Sequence, residues 1–533
     1  MPEANRILVA DPLAEDGLQR LRADAAVEVR TKLPEAELVA AIGDFDALVV
    51  RSETKVTERV LEAGRRLRVV GRAGVGVDNI DVPAATRLGV LVVNAPRGNI
   101  IAAAEHAIAL LLALARNIPQ ADASVKRGEW QRSKYVGAEV RGKTLGVVGL
   151  GNIGSEVAKR AQGLEMEVIA HDPAVPRERA EQFNVALVSL EDLFRRSDFI
   201  TIHAPLVERT RNLIDAGILG LLKPGARLIN AARGGIVDEA ALYAALVEGR
   251  LAGAASDVFV QEPVGESPLL QLPNFIATPH IAASTVEAQA SVAEDVAEEV
   301  LAVLRGELPR YAVNAPALPP EELAFLRPFA TLAERLASLH VQLHGGRVSQ
   351  LEIDYQGELA ERDVSLVTAA AIKGLLQPFT EDRINAVNAR LAAAGRGLKL
   401  VERRTPRQRE GYPNGLLLRA DGSELAGTIL LGEPRVTRVG DFRVDLVPEG
   451  RFLISQHEDR PGVIGHIGTI LGEADVNIAS MQVGRDAPRQ RAMMFVTVDE
   501  PVSEGVLARL GQVSGISDLH YVELSPPHDA AHG

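Results

Sequence analysis

The chain has 533 residues, 47% hydrophobic and 24% charged, so it is a globular protein with apolar material for roughly three to four domains. The net charge of −13 argues against a general nucleic-acid or anionic-membrane partner, and the lack of cysteine excludes disulfides, thiolate metal sites and thiol catalysis, so no metal site is predicted. The N-terminal segment has no signal pattern and no apolar stretch approaches the ~20 residues of a membrane span, and we therefore expect a cytoplasmic protein.

The N-terminal region alternates strands with helices. Apolar runs predict strands at RILVA, DALVVR and LRVVGRAG, with helices over 14–23 and 57–63. Such an order is typical of a parallel sheet that is covered on both faces. A long apolar helix is predicted over 100–126, where it would link this lobe to the next.

A second alternating series runs through KTLGVVGLG, MEVIAHD, FITIHAP, ARLINAA, LAGAASDV and FIATPH, and it predicts a second doubly wound unit. The helix expected over 285–304 follows a unit that is already complete, so we expect it to pack back near the first lobe. The first domain is then discontinuous. The predicted boundaries are 1–98 plus 290–316 for the first lobe and 99–289 for the second.

The rest of the chain shows two other patterns. Over 317–449, helices expected at 321–344 and 381–395 and the short strands GLLLRA and TILLGE indicate an α+β domain. Over 450–533 the predicted order is β-α-β-β-α-β, which is ferredoxin-like. The predicted fold class is therefore α/β, with two doubly wound Rossmann-like lobes followed by these two smaller domains.

A dinucleotide fingerprint stands at the start of the second unit. Gly149, Gly151 and Gly154 follow the strand TLGVV and open a helix, where they allow a tight turn, the approach of a pyrophosphate and close helix–strand packing. The next strand ends near Asp172, whose carboxylate can bind ribose hydroxyls and would repel a 2′-phosphate. The pattern predicts NAD rather than NADP; a glycine-rich turn of another α/β fold is the alternative.

Four polar residues follow strands of the second unit, where open α/β sheets bind their ligands. They are Arg233, Asp257, Glu262 and His280. A histidine can remove an alcohol proton, a carboxylate beside it favours the protonated form, and an arginine binds a substrate carboxylate. Each residue alone could be an ordinary surface or structural group, but the ordered set behind a dinucleotide fingerprint predicts a dehydrogenase.

GLGNIG, HDP, NAARGG, DVFVQEP and TPHIAAST resemble the D-isomer-specific 2-hydroxy acid dehydrogenases over roughly residues 5–315. The resemblance implies a catalytic trio of Arg233, Glu262 and His280. Some relatives carry Thr and Cys where Ala204 and Ala231 stand, so contacts there are expected from the backbone. The cofactor-binding residues that the resemblance implies are Gly149, Gly151, Asn152, Ile153 and Gly154 at the pyrophosphate, Asp172 at the ribose, Ala204, Ala231 and Asp257 on the nicotinamide side, and the backbone of Val75 in the first lobe.

The first lobe is expected to hold the substrate. VRSETKVT and VGRAGVGVDNID resemble segments that phosphoglycerate dehydrogenases, a branch of this family, use around their substrate. Two arginines at the cleft suit a dianionic phosphate, although both could form ordinary surface ion pairs. His106 and Glu105, in the apolar helix, are interpreted as structural. The implied substrate-binding residues are Arg51, Arg72, Gly76, Asn99 and Arg132, the last a candidate for contact with a neighbouring subunit.

The C-terminal segment FLISQHEDRPGVIGHIGTILGEADVNIASMQVGR is similar to an ACT domain. In phosphoglycerate dehydrogenases two such domains pair and bind L-serine between them. The matching positions are His457, Asp459 and Asn477, and Asp459 stands where some relatives carry Asn. The resemblance implies a homo-oligomer, either a dimer or a tetramer, with feedback by L-serine; a module for dimerisation alone is the alternative.

Residues 317–449 correspond by position to the intervening domain of the longer phosphoglycerate dehydrogenases, which is associated with anion- or substrate-linked regulation. The basic residues Arg403, Arg404, Arg407 and Arg409 are candidates for that role, and a solvated charged loop is the other interpretation. Residues 317–449 and 450–533 are therefore predicted as two regulatory domains.

The hypothesis that these patterns support is NAD-dependent oxidation of 3-phospho-D-glycerate to 3-phosphohydroxypyruvate, the first step of L-serine biosynthesis. A glyoxylate or hydroxypyruvate reductase would share the catalytic trio but is not expected to carry the regulatory tail. Two alternatives from other classes are an NAD-binding scaffold of the corepressor type and a serine sensor without catalysis. The sequence leaves a side activity on 2-oxoglutarate open.

Overall fold

The computed structural model describes residues 4–307, 309–315, 318–345, 348–381, 383–406, 411–485, 487 and 489–524. The first lobe is a five-stranded parallel sheet, β1 (Arg6–Val9), β2 (Ala26–Val29), β3 (Ala47–Val50), β4 (Val69–Arg72) and β5 (Leu91–Asn94). Its helices are α1 (Glu15–Asp24), α2 (Glu35–Ala41), α3 (Glu58–Ala63) and α4 (Val82–Arg87). The strand order β2-β1-β3-β4-β5 is the flavodoxin-like form of a doubly wound sheet. The prediction omitted β2 and β5; β2 is a half-exposed edge strand and lacks a continuous apolar run.

The second lobe is a seven-stranded parallel sheet in the order β12-β11-β10-β9-β6-β7-β8. This order reverses at β6, and a doubly wound sheet binds dinucleotides at that point. Its elements, in chain order, are α5 (Ile100–Ala115), α6 (Ile118–Lys126), β6 (Thr144–Val148), α7 (Asn152–Gly163), β7 (Glu167–His171), α8 (Arg177–Glu181), β8 (Ala186–Leu187), α9 (Leu190–Arg196), β9 (Phe199–Ile202), α10 (Ala216–Leu219), β10 (Arg227–Asn230), α11 (Glu239–Val247), β11 (Gly253–Ser256) and β12 (Phe275–Ala277).

The prediction of one continuous helix over 100–126 is wrong, because α5 ends at Ala115 and α6 starts at Ile118 at an angle of 63°. Asn117 takes the left-handed conformation, with φ 55°, and Pro119 follows in the first turn of α6. A left-handed residue interrupts the helical hydrogen bonds, and proline is accommodated where a helix begins. Within the described ranges no single helix is long and apolar enough to cross a membrane, and the bent pair α5–α6 meets that test only by length and composition.

Helix α12 (Val286–Leu304) begins after Thr285, whose hydroxyl accepts a hydrogen bond from the Ala288 N–H. It lies on the first sheet, where Val296 and Val300 join the apolar cluster of that lobe. A side chain at Gly71 on β4 would come within 2.5 Å of Val300, so helix and strand are in close contact. The helix therefore returns to the first lobe after the second sheet is complete. The domain boundaries themselves stay predictions.

The intervening domain has a six-stranded sheet in the order β14-β13-β15-β16-β17-β18, in which only the β13–β14 pair is parallel. The predicted helix over 381–395 is wrong in extent, because among the described residues of that range only 389–395 is helical. The prediction also omitted α14, which is buried over most of its circumference and has no exposed residue, so the sequence shows only a weak amphipathic period. The elements are α13 (Pro320–His344), β13 (Gln350–Gly357), α14 (Ser365–Leu376), α15 (Ala389–Gly395), β14 (Lys399–Thr405), β15 (Asn414–Ala420), β16 (Ser423–Leu430), β17 (Glu433–Val439) and β18 (Phe442–Leu446).

The C-terminal domain has the predicted β-α-β-β-α-β order and an antiparallel sheet in the order β20-β21-β19-β22. This is the ferredoxin-like arrangement. The fold class predicted from the sequence is therefore confirmed. The elements are β19 (Gly450–Glu458), α16 (Val463–Glu473), β20 (Ile478–Arg485), β21 (Arg491–Val498), α17 (Glu504–Gly511) and β22 (Ile516–Leu524).

Polar side chains join these domains. Gln342 on α13 exchanges two hydrogen bonds of 2.9 Å with the backbone of Glu523 on β22, as a neighbouring strand would. In the intervening domain the Arg383 guanidinium donates to the Leu67 carbonyl at 2.8 Å, and Asn385 Nδ2 donates to the Gly89 carbonyl at 2.7 Å. The ACT-like domain thus contacts the intervening domain, which in turn contacts the first lobe.

Candidate active site

The glycine fingerprint forms the turn between β6 and α7. Gly149 has φ 93°, and a side chain there would lie 2.6 Å from the His203 carbonyl oxygen. A Cβ at Gly154 would overlap the Gly149 carbonyl oxygen, whereas a Cβ at Gly151 would meet nothing within 4 Å. Packing therefore requires the first and third glycines, while the second leaves open space at the start of α7. That space, with the free N–H groups of the first helical turn, fits a pyrophosphate.

The carboxylate of Asp172 lies beside this turn, directly after β7. Its Oδ2 accepts a hydrogen bond from the Leu150 N–H at 2.9 Å, and its Oδ1 accepts one from the Ala174 N–H at 2.9 Å. Asn152 and Ile153 are the first two residues of α7. The structure thus places the predicted pyrophosphate and ribose residues at one edge of the sheet, in an arrangement that fits NAD.

An alanine at Gly154 is expected to lower the free energy of unfolding by about 1–3 kcal/mol, because overpacking of a filled contact forces the backbone to shift. Gly163→Ala is the matched control, since it lies on the same helix and its Cβ would meet nothing within 4 Å. Thermal unfolding with and without NADH measures both effects. We expect a lower midpoint and a smaller NADH-induced shift for Gly154→Ala only. Equal midpoints for the two variants would contradict the packing role.

Three predicted nicotinamide-side residues stand after neighbouring strands. Ala204 follows β9, Ala231 follows β10 and Asp257 follows β11, so all three lie at the carboxyl edge of the second sheet. Val75 lies in the first lobe, where its carbonyl oxygen accepts a 2.6 Å hydrogen bond from Asn94. The four residues therefore come from both lobes.

Asp257 is fully buried, and its carboxylate holds the loop that follows β12. Oδ1 accepts hydrogen bonds from the Thr278 hydroxyl at 2.5 Å and from the Ile281 N–H at 2.9 Å, and Oδ2 accepts one from the Ala282 N–H at 2.9 Å. Burial favours the protonated acid, but hydrogen bonds from His106, Thr278 and the two backbone groups outweigh burial, so the pKa of Asp257 lies below its usual value. The carboxylate stays charged and fixes the loop.

His280 and Glu262 form a hydrogen-bonded pair, with His280 Nδ1 2.7 Å from Glu262 Oε2. The other oxygen of Glu262 accepts from the Phe259 N–H at 3.0 Å. Burial of Glu262 favours protonation, but the hydrogen bonds from His280 and Phe259 outweigh it, so the pKa of Glu262 lies below its usual value. When the Nδ1–H donates a hydrogen bond to this carboxylate, Nε2 has no proton and can act as a base. The carboxylate then stabilises the imidazolium that forms when Nε2 takes up a proton.

Arg233 crosses from the second lobe to the first. Its Nε donates to Asp78 Oδ2 at 3.1 Å, and its Nη1 donates to the Ala232 carbonyl at 2.7 Å. A Cβ at Gly76 would overlap Nη2 of this guanidinium, so the absence of a side chain at Gly76 allows the close approach. Arg233 therefore reaches the cleft between the lobes while Asp78 holds one edge of its planar head.

The cleft has a volume of about 660 Å³, part of it open to solvent, and is lined by Arg51, Arg72, Asn99 and His280, among other residues. Burial, together with repulsion from Arg233 and Arg51, lowers the pKa of Arg72 to about 10. Arg72 Nε and Asn99 Oδ1 are buried and have no hydrogen-bond partner among the described residues. Three guanidinium groups that repel one another, with unused polar atoms beside them, suit an anionic ligand.

Four residues of this region were not assigned to the site from the sequence. Asp11 accepts hydrogen bonds from the Arg51 N–H at 2.6 Å and from the Thr54 hydroxyl at 2.6 Å, and so shapes the Arg51 loop. It directly follows the strand RILVA, and that position could have identified it. Asp78 lies within the segment VGRAGVGVDNID, but nothing in that segment indicated that Asp78 would pair with Arg233. The other two are His106 and Thr278.

The structure does not bring together the three ACT-like residues. His457 and Asp459 lie at one end of β19, whereas Asn477 precedes β20 near the other end, where Ile478 is opposite Val498 of β21. At about 3.3 Å per residue the two ends are roughly 20 Å apart. Burial lowers the pKa of His457, and the Arg489 N–H, which donates to Asp459 at 2.9 Å, lowers the pKa of that carboxyl.

The remaining predicted residues lie outside the cleft. Arg132 is exposed in a short 3₁₀ turn and is not one of the residues that line the cleft. Arg403 pairs with Glu352 at 3.0 Å, and Arg404 donates to the Ala360 carbonyl at 2.8 Å. Arg407 and Arg409 lie outside the described residues. Among the described residues, no group of three or more His, Cys, Asp or Glu side chains could hold a metal ion.

Three family models match consecutive parts of the chain. Residues 108–282 match the NAD-binding domain of the D-isomer specific 2-hydroxyacid dehydrogenases, residues 325–439 match the D-3-phosphoglycerate dehydrogenase intervening domain, and residues 452–515 match the ACT domain. The first match agrees with NAD as the cofactor. The order of the three domains is the order predicted from the sequence.

The chain is also similar to curated proteins over nearly its full length. It is 48% identical to the D-3-phosphoglycerate dehydrogenase of Synechocystis sp. over 97% of this chain and 95% of the relative. It is 46% identical to the enzyme of the same name from Archaeoglobus fulgidus over 97% and 100% of the two chains. A crystal structure of D-lactate dehydrogenase from Aquifex aeolicus with NAD and lactic acid matches with a TM-score of 0.53 and 30% identity, covering 58% of this chain and all of the other.

Proposed function

The chain belongs to the D-3-phosphoglycerate dehydrogenase family, and from that premise we propose that it oxidises 3-phospho-D-glycerate to 3-phosphohydroxypyruvate with NAD, at the entry to L-serine biosynthesis. The observation that carries the proposal is the cleft lined by Arg51, Arg72 and His280, in which His280 is bonded to Glu262 and Arg233 is near enough to repel Arg72. The substrate bears a carboxylate and a phosphate, and it needs an oriented base at its C2 hydroxyl.

In this proposal each side chain has one task. His280 Nε2 takes the proton of the C2 hydroxyl, and Glu262, whose pKa lies below its usual value, remains ionised beside the imidazolium that results. Arg233 binds the substrate carboxylate and polarises the neighbouring oxygen. NAD⁺, when bound, supplies the acceptor for the hydride from C2. The two lobes exclude water from the reacting atoms and keep them in line.

The phosphate is assigned to the first lobe. Arg51 follows β3 and Arg72 ends β4, so the two guanidinium groups stand at neighbouring strand ends. The charged form of Arg72 is disfavoured by burial and by its arginine neighbours, and a dianion would relieve that cost. Asn99, at the start of α5, would contribute its side-chain amide to the binding of the phosphate. Gly76 and Val75 would contribute backbone groups.

The second candidate is another D-2-hydroxy acid dehydrogenase, such as a glyoxylate or hydroxypyruvate reductase. It would use the same Arg233, Glu262 and His280. The two candidates differ in the need for a phosphate site, and the placement of Arg51 and Arg72 at the cleft favours the phosphorylated substrate.

The test is NADH formation from 3-phospho-D-glycerate and NAD⁺, with the oxo product trapped chemically and with or without millimolar L-serine. Activity that serine suppresses is the expected result. Activity indifferent to serine would remove the regulatory part of the proposal. Reduction of glyoxylate or hydroxypyruvate, without phosphoglycerate oxidation, would favour the second candidate. A chain that binds NAD or serine without turnover would be a scaffold or a sensor. Assays with 2-oxoglutarate as the substrate test whether the chain also reduces that compound.

Serine control would require a second copy of the chain. His457 and Asp459 stand at the opposite end of the sheet from Asn477, so a ligand can touch all three only between two ACT-like domains. A homo-oligomer is therefore part of the proposal, and a dimer and a tetramer both satisfy it.

The chain also exposes apolar residues around α6, and such a patch suits a contact between subunits. These residues are Ile118, Val125, Trp130 and Val136. The proposal includes a cytoplasmic location, which cell fractionation tests.

Asn477→Ala is expected to abolish inhibition by L-serine and to leave turnover without serine unchanged. The Asn477 side chain is exposed and donates a 2.6 Å hydrogen bond to Asp499 Oδ2, far from the catalytic cleft, so its loss should not disturb the reaction. Serine titrations of the initial rate measure the effect, and light scattering checks that the oligomer is intact. Inhibition at the wild-type serine concentration would contradict the assignment.

A further inference from the structure

His106, on helix α5, faces the loop that carries the catalytic histidine. Its Nε2 is 3.4 Å from Asp257 Oδ1 and 3.3 Å from Thr278 Oγ1. The Thr278 hydroxyl donates to Asp257 at 2.5 Å, so its oxygen is free to accept from the imidazole. The ring is 18% exposed and follows Glu105, which points away to an ion pair with Arg160.

Asp257 receives the backbone N–H groups of three consecutive residues. Its carbonyl oxygen accepts from the His280 N–H at 2.9 Å, and its two carboxylate oxygens accept from Ile281 and Ala282 at 2.9 Å each. His280 itself has φ 54°, in the left-handed region that costs a non-glycine residue free energy. The Thr278 carbonyl also accepts from the His280 N–H, at 3.1 Å, so Asp257 and Thr278 together maintain the backbone conformation that directs the imidazole into the cleft.

We propose that His106 is a positioning residue for the reaction, an inference that rests on the proposed function. Its Nε2–H donates to the Asp257 carboxylate and the Thr278 hydroxyl, and it thereby holds that carboxylate in the orientation that fixes residues 281 and 282, directly after His280. A buried carboxylate that accepts two backbone N–H groups and the Thr278 hydroxyl has to be oriented, because a small rotation would release one of these donors. Loss of the donor displaces the His280 imidazole relative to the C2 hydroxyl.

The test compares His106→Leu, which removes the donor, with His106→Gln, whose amide nitrogen can occupy the place of Nε2. His106→Leu is expected to lower kcat on the order of 10–100-fold, since a displacement near 1 Å of a catalytic group has an effect of that size. The KM for NAD⁺ should stay within a few-fold. His106→Gln should recover most of kcat. Glu105→Gln is the matched control and should behave as wild type.

Hydrogen–deuterium exchange of residues 278–284 gives a readout that does not depend on turnover. Exchange should be faster in His106→Leu and close to wild type in His106→Gln. Equal kcat and equal exchange for Leu and Gln would overturn the proposal, and so would wild-type behaviour of the Leu variant. If His106→Leu does not fold, Thr278→Val removes the other donor and takes its place. A wild-type chain inactive on phosphoglycerate would refute the proposed function, while exchange would still decide the role of His106.

Discussion

Replacing His280 by alanine is expected to lower kcat by about 10²–10⁴-fold, the usual effect of losing a general base. The imidazole is held at 2.7 Å by Glu262, whose pKa lies below its usual value, so the pair is set to accept a proton on Nε2 and to stabilise the resulting charge. Binding of NAD⁺ should change little, because the fingerprint turn lies on another part of the sheet. The effect therefore belongs to the chemical step.

Single-turnover rates and NADH titrations of His280→Ala separate chemistry from binding. His520→Ala is the control, since His520 lies in the ACT-like domain and pairs with Asp518 at 2.9 Å. A kcat near the wild-type value for His280→Ala would contradict the assigned base. A loss of NADH binding of the same size as the loss of rate would instead show that the variant disturbs the cofactor site.

Arg72→Met is expected to reduce kcat/KM for 3-phospho-D-glycerate by roughly 30- to 4,000-fold, corresponding to about 2–5 kcal/mol for the loss of one partner of a buried charge pair. Thermal stability should not fall, because burial and repulsion from Arg233 and Arg51 already disfavour this charge in the folded chain. A residue that weakens binding when removed, yet does not stabilise the fold, is typical of a ligand site.

Rates for the reduction of phosphohydroxypyruvate and of hydroxypyruvate test this expectation, since only the first compound carries the phosphate. Arg72→Met should impair the phosphorylated compound far more than the other. Arg65→Met is the control, because Arg65 is exposed on the same lobe. Equal losses on both compounds would assign Arg72 to the carboxylate or to the fold and would remove the phosphate from this position.

Local patterns explain why much of the fold could be predicted. Most strands of the two lobes appear in the sequence as one continuous apolar run, because a strand that is buried on both faces carries no polar alternation. These strands are β1, β3, β6, β7 and β9 to β12. Elements without such a pattern were missed: β2 is a half-exposed edge strand, and α14 is buried over most of its circumference. The break at Asn117 was missed for a similar reason. An asparagine in the left-handed conformation has no signature in the apolar pattern of 100–126.

The sequence by itself determined the chemistry that this protein can perform. Glycines at 149, 151 and 154, a carboxylate at 172, and the order Arg233, Glu262, His280 are local or ordered signals, and each expresses a requirement of backbone geometry or proton transfer that few other residues satisfy. These requirements act within single turns or at strand ends, so they can be recognised without knowledge of long-range contacts.

The tertiary structure alone decided which partners these residues have. Arg233 meets Asp78 across 155 positions, and His106 meets Thr278 across 172. The tertiary structure also decided the burial that lowers the pKa of Arg72 and the distance that separates Asp459 from Asn477. Such contacts arise when sheets and helices pack, and packing depends on the sum of many weak apolar interactions along the whole chain, so no single segment of the sequence records them.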